Sequence, residues 1–185
     1  MITQNVDLLH DEAGTRHVID LHGRYDRVIC LTCARVISRA ALAERLDALN
    51  PGFADSVGRV ADIEIAPDAD AVISTTAHFT VADCDACGGL LKPEIVYFGE
   101  SVPKERVARA YALVDSADAL LVAGSSLTVM SGLRFVKHAA KAGRPVVIVN
   151  RGATRGDELA TLKLEAGTSE TLTALAERLP TPRIP

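Results

Sequence analysis

Tryptophan is absent from the 185 residues, and aromatic side chains of any kind make up only 4% of them. The core must therefore be aliphatic, built from Leu, Val, Ile and Ala. No basic run occurs and the formal net charge is -4, so the chain lacks the footprint of a nucleic-acid binder. No apolar run approaches the length of a bilayer span; residues 119–123 are among the longest. The opening MITQNVDLLHDE has no charged segment followed by an apolar one, so a secretory signal is not expected. A reducing, cytoplasmic compartment is the expectation, with no membrane partner. Internal repeats and low-complexity stretches are missing too. There is no Gly-x-Gly-x-x-Gly, which disfavours an ordinary hydride-transfer dinucleotide enzyme. Hydrophobic residues nevertheless reach 48%, enough for one ordinary domain, or one domain with a small insertion.

Cysteine is scarce but patterned. All four cysteines fall in two Cys-x-x-Cys pairs, Cys30/Cys33 and Cys84/Cys87. Each pair has the bite that lets two thiolates share one ion, and two pairs make a tetrahedral four-sulfur site suited to zinc. Gly88 and Gly89 permit the tight turn of a knuckle. Residues 34–83 must loop out between the pairs. Redox Cys-x-x-Cys chemistry is the competing reading, and two such motifs without a thioredoxin context argue against it. A closed four-sulfur site has no open position for water, so it is structural, contributing about 10–16 kcal/mol of apparent binding energy to folding.

The first pair ends the stretch 18–33, VIDLHGRYDRVICLTC. Val18, Ile19 and Leu21 read as a strand that runs out into a His22-Gly23 turn and then into the metal knuckle. Upstream, Ile2 and Val6 allow a strand end, and residues 10–14 a helical turn closed by Gly14. Downstream, Ser38 caps a helix over 40–49 with Leu42, Leu46 and Leu49 on one stripe, stopped by Asn50-Pro51-Gly52. Residues 52–77 read as an irregular insertion. After Cys87 come a strand over 93–100, a helix opened by Pro103 and facing inward through Val107, Ala110, Tyr111 and Val114, and a strand over 119–122 buried on both faces. A helix over 132–142 closed by Gly143, a strand over 145–149, a short strand over 162–164 and a last helix over 171–179 finish the chain, with Pro180 and Pro182 preventing continuation. This alternation is the grammar of a doubly wound parallel α/β sheet, which binds ligands at the carboxyl ends of its strands.

Polar and glycine-rich groups fall at those ends. Gly124-Ser125-Ser126 could cradle phosphate or ribose through backbone N–H and hydroxyl donors, or serve only as a turn and helix cap. Asn150, heading Asn150-Arg151-Gly152, suits ribose hydroxyls, and equally suits a turn. His22 stands out among five histidines by its place between a strand end and a metal clamp.

TQNVD, VIDLHG, the first cysteine pair, CDACGGLLKPEIVYFGE, GSSLTV and VNRG, in that order, resemble the sirtuin family of NAD-dependent protein deacylases. The resemblance runs from Thr3 to the C-terminus. TQNVDxLHxxAG, LHGxxDRVxCLxC and LKLE look most like the class II, sirtuin-4-like branch. It implies an incomplete Rossmann-like parallel sheet with an inserted small zinc-binding module. Residues 1–29 and 90–185 would form the NAD-binding domain and 30–89 the zinc insertion. It implies roles as well. His22 matches the catalytic base. Gln4, Asn5, Val6 and Asp7 match the group around the nicotinamide-ribose pocket. Gly124, Ser125 and Ser126 match contacts to NAD ribose and phosphates, Asn150, Arg151 and Gly152 contacts to the adenosine ribose, and Thr168 a contact near adenine. Val96, Phe98, Gly99 and Glu100 match the strand beside which an acyl-lysine peptide lies. Cys30, Cys33, Cys84 and Cys87 match the zinc ligands. The implied cofactors are NAD as co-substrate and structural zinc, and the implied partners are acylated-lysine proteins or peptides. A histidine with an ordinary pKa of about 6.5 is matched to taking a ribose hydroxyl proton at neutral pH. The family's Gly-Ala-Gly-x-Ser strand and phosphate loop do not occur in these residues, so weak NAD binding, or none, is the expectation for them alone. A mono-ADP-ribosyltransferase on the same scaffold and a non-catalytic zinc-containing binding module stay open as alternatives.

Overall fold

The computed structural model describes residues 1–53, 55, 76 and 78–179. In chain order the elements are β1 (Ile2–Thr3), α1 (Leu9–Glu12), β2 (Ile19–Asp20), β3 (Gly23–Cys30), β4 (Val36–Ser38) and α2 (Arg39–Leu49). They continue with β5 (Leu91–Ile95), α3 (Lys104–Asp115), β6 (Leu120–Ala123) and α4 (Met130–Lys141). The last are β7 (Val146–Val149), a 3-10 turn at Asp157–Leu159, β8 (Leu162–Leu164) and α5 (Thr168–Arg178). Contacts divide the chain into two compact units. One comprises Met1–Gln4, Thr15–Leu21 and Gly99–Pro185; the other comprises Asn5–Gly14 and His22–Phe98. The sequence reading over 52–77, and the prolines after 179, fall almost wholly outside the described residues.

The first unit carries the parallel strands. β6, β7 and β8 lie in that order with Leu121 opposite Val147 and Ile148 opposite Lys163, and β1 pairs in parallel with β2. The aliphatic core forms on one side of the sheet, where Leu21, Ala110, Val114, Leu133, Val136, Val146 and Ile148 are almost wholly buried. Tyr111 meets Phe135 edge-on at 5.0 Å between ring centroids, which uses two of the scarce aromatics together. Gly143, at φ 71°, ends α4: its N–H donates to the Ala140 carbonyl and the Arg144 N–H donates to the Ala139 carbonyl. That pair of bonds is a Schellman closure and needs the glycine. Arg144 then donates its Nε to the Ala117 carbonyl at 3.0 Å and an Nη to the Asp115 carbonyl at 2.8 Å, finishing α3, while His138 Nε2 meets Asp115 Oδ1 at 2.7 Å.

One expectation about this sheet fails. The run 119–122 is not buried on both faces: Leu121 is 46% exposed. Leu120 and Val122 pack on the core, whereas Leu121 faces the opposite side. There it lines an apolar groove of about 630 Å³ with Val147, Leu164, Leu172 and Leu175. A continuous apolar run reports hydrophobic surroundings on both faces only when both faces are covered.

The second unit is antiparallel. β3 lies between β4 and β5, with Val28 opposite both Ile37 and Pro93. Sequence reading ends the strand before His22 and goes directly to the knuckle. Instead a second strand occupies Gly23–Cys30, burying Gly23, Val28 and Cys30. The strand expected over 93–100 spans Leu91–Ile95, and it runs antiparallel to β3 rather than within the parallel sheet. Pro93 donates no ladder bond, and β5 is an edge strand, where that is tolerated. Val96, Phe98, Gly99 and Glu100 therefore follow the strand; Phe98 and Gly99 form a turn with Gly99 at φ 89°. In α2, Ser38 Oγ accepts the Ala41 N–H at 3.1 Å as expected, but Leu49 stands exposed. Asn50 does more than stop that helix. Its Nδ2 donates to the Leu46 and Thr80 carbonyls, each at 2.9 Å, and its Oδ1 accepts the Thr80 N–H at 2.6 Å. Phe53 packs against Phe79 beside it, the rings tilted by 58° with centroids 4.6 Å apart. The base of the long excursion between the two cysteine pairs is thus closed by one side chain. Among the described residues no helix is long and apolar enough to cross a membrane.

Asn50→Ala removes three hydrogen bonds at that closure. Chemical denaturation of the variant is expected to show a loss of about 1–3 kcal/mol relative to wild type.

Candidate functional site

In the first unit, the loops after β6 and β7 and the start of α5 line an open cavity of about 370 Å³. Gly124, Asn150, Arg151, Gly167, Thr168 and Glu170 are among its lining residues. Four of the residues singled out in the sequence therefore meet at one place. Gly124 has φ 66°, and a Cβ there would come within 3.3 Å of the Thr168 methyl, so the glycine sets the separation of the two walls. Ser125, Ser126 and Gly152 are next to this cavity in sequence but do not line it. Ser125 Oγ donates to Gln4 Oε1 at 2.9 Å and accepts the Leu127 N–H at 3.2 Å. Ser126 Oγ pairs with Thr128 Oγ1 at 2.9 Å. Leu127 is 3% exposed and holds φ 55°, an uncommon conformation for a leucine, with its side chain anchored in the core.

Asn150 is a turn residue and a wall residue at once. Its Nδ2 donates to the Arg151 carbonyl at 2.8 Å and to the Gly152 carbonyl at 3.1 Å, which commits the amide nitrogen to its own loop and leaves Oδ1 as an acceptor. A set of residues that sequence reading missed then fastens this loop. Lys163 Nζ donates to the Gly152 carbonyl at 3.0 Å and to both Asp157 oxygens at 3.0 and 3.1 Å. Glu165 accepts the Gly152 N–H. The Thr154 hydroxyl and N–H both donate to Asp157. Arg155 N–H donates to the Ser126 carbonyl at 3.0 Å, tying the two loops together. The Thr154 hydrogen bonds, with Lys163 beside them, hold the Asp157 carboxyl down from 3.8 to about 2. The only trace of this network in the sequence is the position of Lys163 in a three-residue strand, one place from each leucine.

His22 belongs to the second unit, in the turn immediately before β3. Its carbonyl accepts the Val96 N–H at 2.8 Å. Gly23 follows at φ 89°, and a Cβ there would lie 1.8 Å from the Glu94 carbonyl oxygen. Only glycine allows β5 to pass so close, so the backbone leading out of His22 is fixed by β5 and the residue that follows it. The Val6 carbonyl accepts the Tyr25 N–H at 3.1 Å, placing Asn5–Asp7 alongside the same strand, and Asp7 Oδ1 accepts the Leu9 N–H at 3.2 Å at the entry to α1. The division between units falls between Gln4 and Asn5. Phe98 is 96% exposed, an unusual setting for one of only four phenylalanines.

The four cysteine sulfurs lie within 4.8 Å of one another. Cys30 Sγ is 3.6 Å from Cys87 Sγ, and Cys33 Sγ is 3.8 Å from Cys84 Sγ. A regular tetrahedron with Zn–S bonds of 2.3 Å has edges of about 3.8 Å, so the set fits a zinc ion. The turns close alike: the Ala34 N–H donates to the Cys30 carbonyl and the Gly88 N–H to the Cys84 carbonyl, with φ 59° at Ala34 and 69° at Gly88. Gly89 leaves room for the cluster, since a Cβ there would be 2.4 Å from Thr32 Oγ1 and 3.0 Å from Cys30 Sγ. Backbone N–H donors, Cys33 first and then Thr32, pull the Cys30 thiol down to about 6 against the effect of burial. The Gly89 N–H also lowers Cys87, but the adjoining sulfurs of Cys33 and Cys30 outweigh it and push that thiol up to about 12. Metal binding requires all four as thiolates and so releases protons.

Two outcomes are expected. Metal analysis of the purified chain should find about one zinc ion per molecule, and Cys84→Ser should lose it together with the ordered second unit, seen as lost amide protection over β3 and β5. For Asp157, the folded pKa is depressed, so its contribution is complete above 3.8 and disappears as pH falls toward about 2. Thermal melts should therefore show wild type more stable than Asp157→Asn at neutral pH, with the gap closing across that acid window.

Comparison with known proteins follows the same residues. A family profile described as "Sir2 family" matches residues 1–131. The chain is 64% identical over 179 residues to NAD-dependent protein deacetylase 1 of Mycobacterium avium (strain 104), covering 97% of this chain and 64% of that protein. It is 51% identical over 179 residues to NAD-dependent protein deacetylase 1 of Streptomyces coelicolor, covering 97% and 59% respectively. It thus spans less than two thirds of the length of these curated relatives. Among solved structures it resembles one described as "Sir2-p53 peptide-NAD+", with TM-score 0.69 and 30% identity over 95% of this chain and 61% of that one. It also resembles "Structure of Sir2Tm bound to a propionylated peptide", with TM-score 0.70 and 30% identity over 95% and 62%. The profile covers well over half of the residues, and its match includes the cysteine tetrad, the His22-Gly23 turn and the glycine-serine loop: the chain belongs to the Sir2 family.

Proposed function

We propose that this chain carries the chemistry of an NAD-dependent protein-lysine deacetylase. The observation that carries the reading is the cavity at the carboxyl ends of β6 and β7, where Gly124, Asn150, Arg151 and Thr168 converge. That is where open parallel α/β sheets bind nucleotides. The names of the relatives support the same reading, because they are NAD-dependent protein deacetylases. In it, Asn150 Oδ1 accepts a hydroxyl of the adenosine ribose, its Nδ2 being committed to the loop. Gly124, Ser125 and Ser126 serve the ribose and phosphates, Arg151 and Gly152 the adenosine side, and Thr168 the adenine. Gln4, Asn5, Val6 and Asp7 serve the nicotinamide ribose. Val96, Phe98, Gly99 and Glu100 take the acyl-lysine segment, with the exposed Phe98 ring as a ready apolar surface for it. The division by ligand is residues 1–29 and 90–185 for NAD and 30–89 for zinc. A cytoplasmic setting suits four thiols that must stay reduced to hold a metal.

The reaction consumes water. Acyl-lysine, NAD and water give free lysine, nicotinamide and O-acyl-ADP-ribose. The bond from nicotinamide to ribose breaks as the acyl oxygen attacks that carbon. His22, neutral, then takes a proton from a ribose hydroxyl so that its oxygen attacks the acyl carbon. The cysteine tetrad takes no part in these steps; closed coordination leaves no position for substrate, and its work is to hold β3 and β5 in place.

Nicotinamide release by the full chain, measured with and without an acetyl-lysine peptide, tests this. Peptide-dependent release accompanied by O-acyl-ADP-ribose is expected, and His22→Ala should lower it by about 100-fold or more. Retained activity in that variant removes His22 from the role of base. Peptide-independent transfer of ADP-ribose to protein would point to a transferase instead, and no release at all to a binding module.

A further inference from the structure

Among the described residues, two charged side chains line the cavity at the strand ends, Arg151 and Glu170. Arg151 Nη2 is 2.8 Å from Glu170 Oε1, and the two side chains are 73% and 68% exposed. The pair lies across the backbone at the start of α5. A Cβ on Gly167 would come 2.0 Å from Glu170 Oε2 and 2.7 Å from Arg151 Nη2, so the chain passes directly beneath it. Gly167 is the cap position of α5, with no side chain capping the helix, and Glu170 is the acidic residue of the first turn. The amino end of α5 and the Arg151 guanidinium would together attract an anion. The anion resident there is the Glu170 carboxylate. The neighbouring cation, Lys163, is committed to Asp157 and the Gly152 carbonyl, and the neighbouring carboxylate, Glu165, to the Gly152 N–H.

An ion pair this exposed adds little to stability. Its consequence is electrostatic and local. Dinucleotide sites of parallel α/β sheets distinguish a bare ribose hydroxyl from a 2′-phosphate by whether an acid or a free arginine faces that position. Resting on the reading that this cavity takes the adenosine end of NAD, we propose that Glu170 is the residue that makes the site reject a 2′-phosphorylated dinucleotide. Its carboxylate engages Arg151 beside the start of α5, where a 2′-phosphate would otherwise bind, and repels that phosphate. Removing the charge while keeping the shape converts the same place into a phosphate-accepting one.

The test is titration of the isotope-labelled full chain with NAD and with NADP, following the amide signals of Gly152 and Gly167, which reports affinities into the millimolar range. In wild type the ratio of the NADP to the NAD dissociation constant is expected above about ten. In Glu170→Gln it should fall at least about fivefold, because a charge-assisted contact to Arg151 becomes available, and the gain should shrink as salt is raised. Glu170→Asp, which keeps the charge, should retain preference for NAD, and Arg151→Ala combined with Glu170→Gln should return the ratio toward wild type. A ratio unchanged within about twofold in Glu170→Gln, or an equal fall in the double variant, overturns the role of Glu170 while leaving NAD binding intact. Wild type responding to neither nucleotide overturns the dinucleotide reading of the cavity, and this role with it.

Discussion

Four sulfurs held within 4.8 Å of one another are the constraint on which the second unit depends. Thiolates at that spacing repel unless a cation sits among them, so the site and the fold form together or not at all. The two pairs come from segments more than fifty positions apart, and what brings them together is the pairing of β3 with β5, where Cys30 lies opposite Leu91. The dependence runs both ways. The same two strands fix His22, through the Val96 hydrogen bond to its carbonyl and the close passage of Glu94 over Gly23. A structural metal cluster and a candidate base thus sit at opposite ends of one strand, β3, and share its rigidity.

The first unit solves a different problem, the support of a polar loop by a small aliphatic core. Leu127 and Gly156 anchor the loops after β6 and β7 from beneath: a Cβ on Gly156 would come 2.6 Å from the Leu127 side chain and 3.2 Å from that of Ile148. Above them, Lys163, Asp157, Thr154 and Glu165 occupy the backbone groups of the 150–157 segment. With those groups already satisfied, the walls of the cavity are preformed, and little ordering is left for a ligand to impose.

Much of this was legible in the residues, and the exceptions share a cause. Cysteine spacing gave the metal site because the ligands themselves form the pattern. Ser38, Gly143 and the inward face of α3 were readable because caps and helical periodicity are local. Gly124, Asn150, Arg151 and Thr168 line one cavity, whereas Ser125, Ser126 and Gly152, singled out beside them, do not. β3 was missed because the His22-Gly23 turn was read as leading straight into the metal knuckle, across the charged residues Arg24, Asp26 and Arg27; partners on both sides, not propensity, make that segment a strand. The end of β5 at Ile95 was missed because residues 95–98 are β-branched and aromatic, and nothing local marks where the ladder stops. Leu121 was assigned to the interior because a run of apolar residues does not record which face stays open. Lys163 with Asp157, and Arg151 with Glu170, are pairs that only the folded chain brings into contact.

Lys163 sits in the shortest strand of the parallel sheet, flanked by Leu162 and Leu164, with Ile148 as its partner across the ladder. Side chains along a strand alternate between faces, so a slip of a single residue would put a leucine where the ammonium now reaches Asp157 and the Gly152 carbonyl. The cavity is therefore written in the phase of β8 as much as in the identity of its lining. Among natural or designed variants, substitutions in the segment between the 3-10 turn and β8 preserve that phase, whereas a single insertion or deletion inverts it. Tolerance of length change, rather than of residue change, is the measure of how tightly this corner of the molecule is specified.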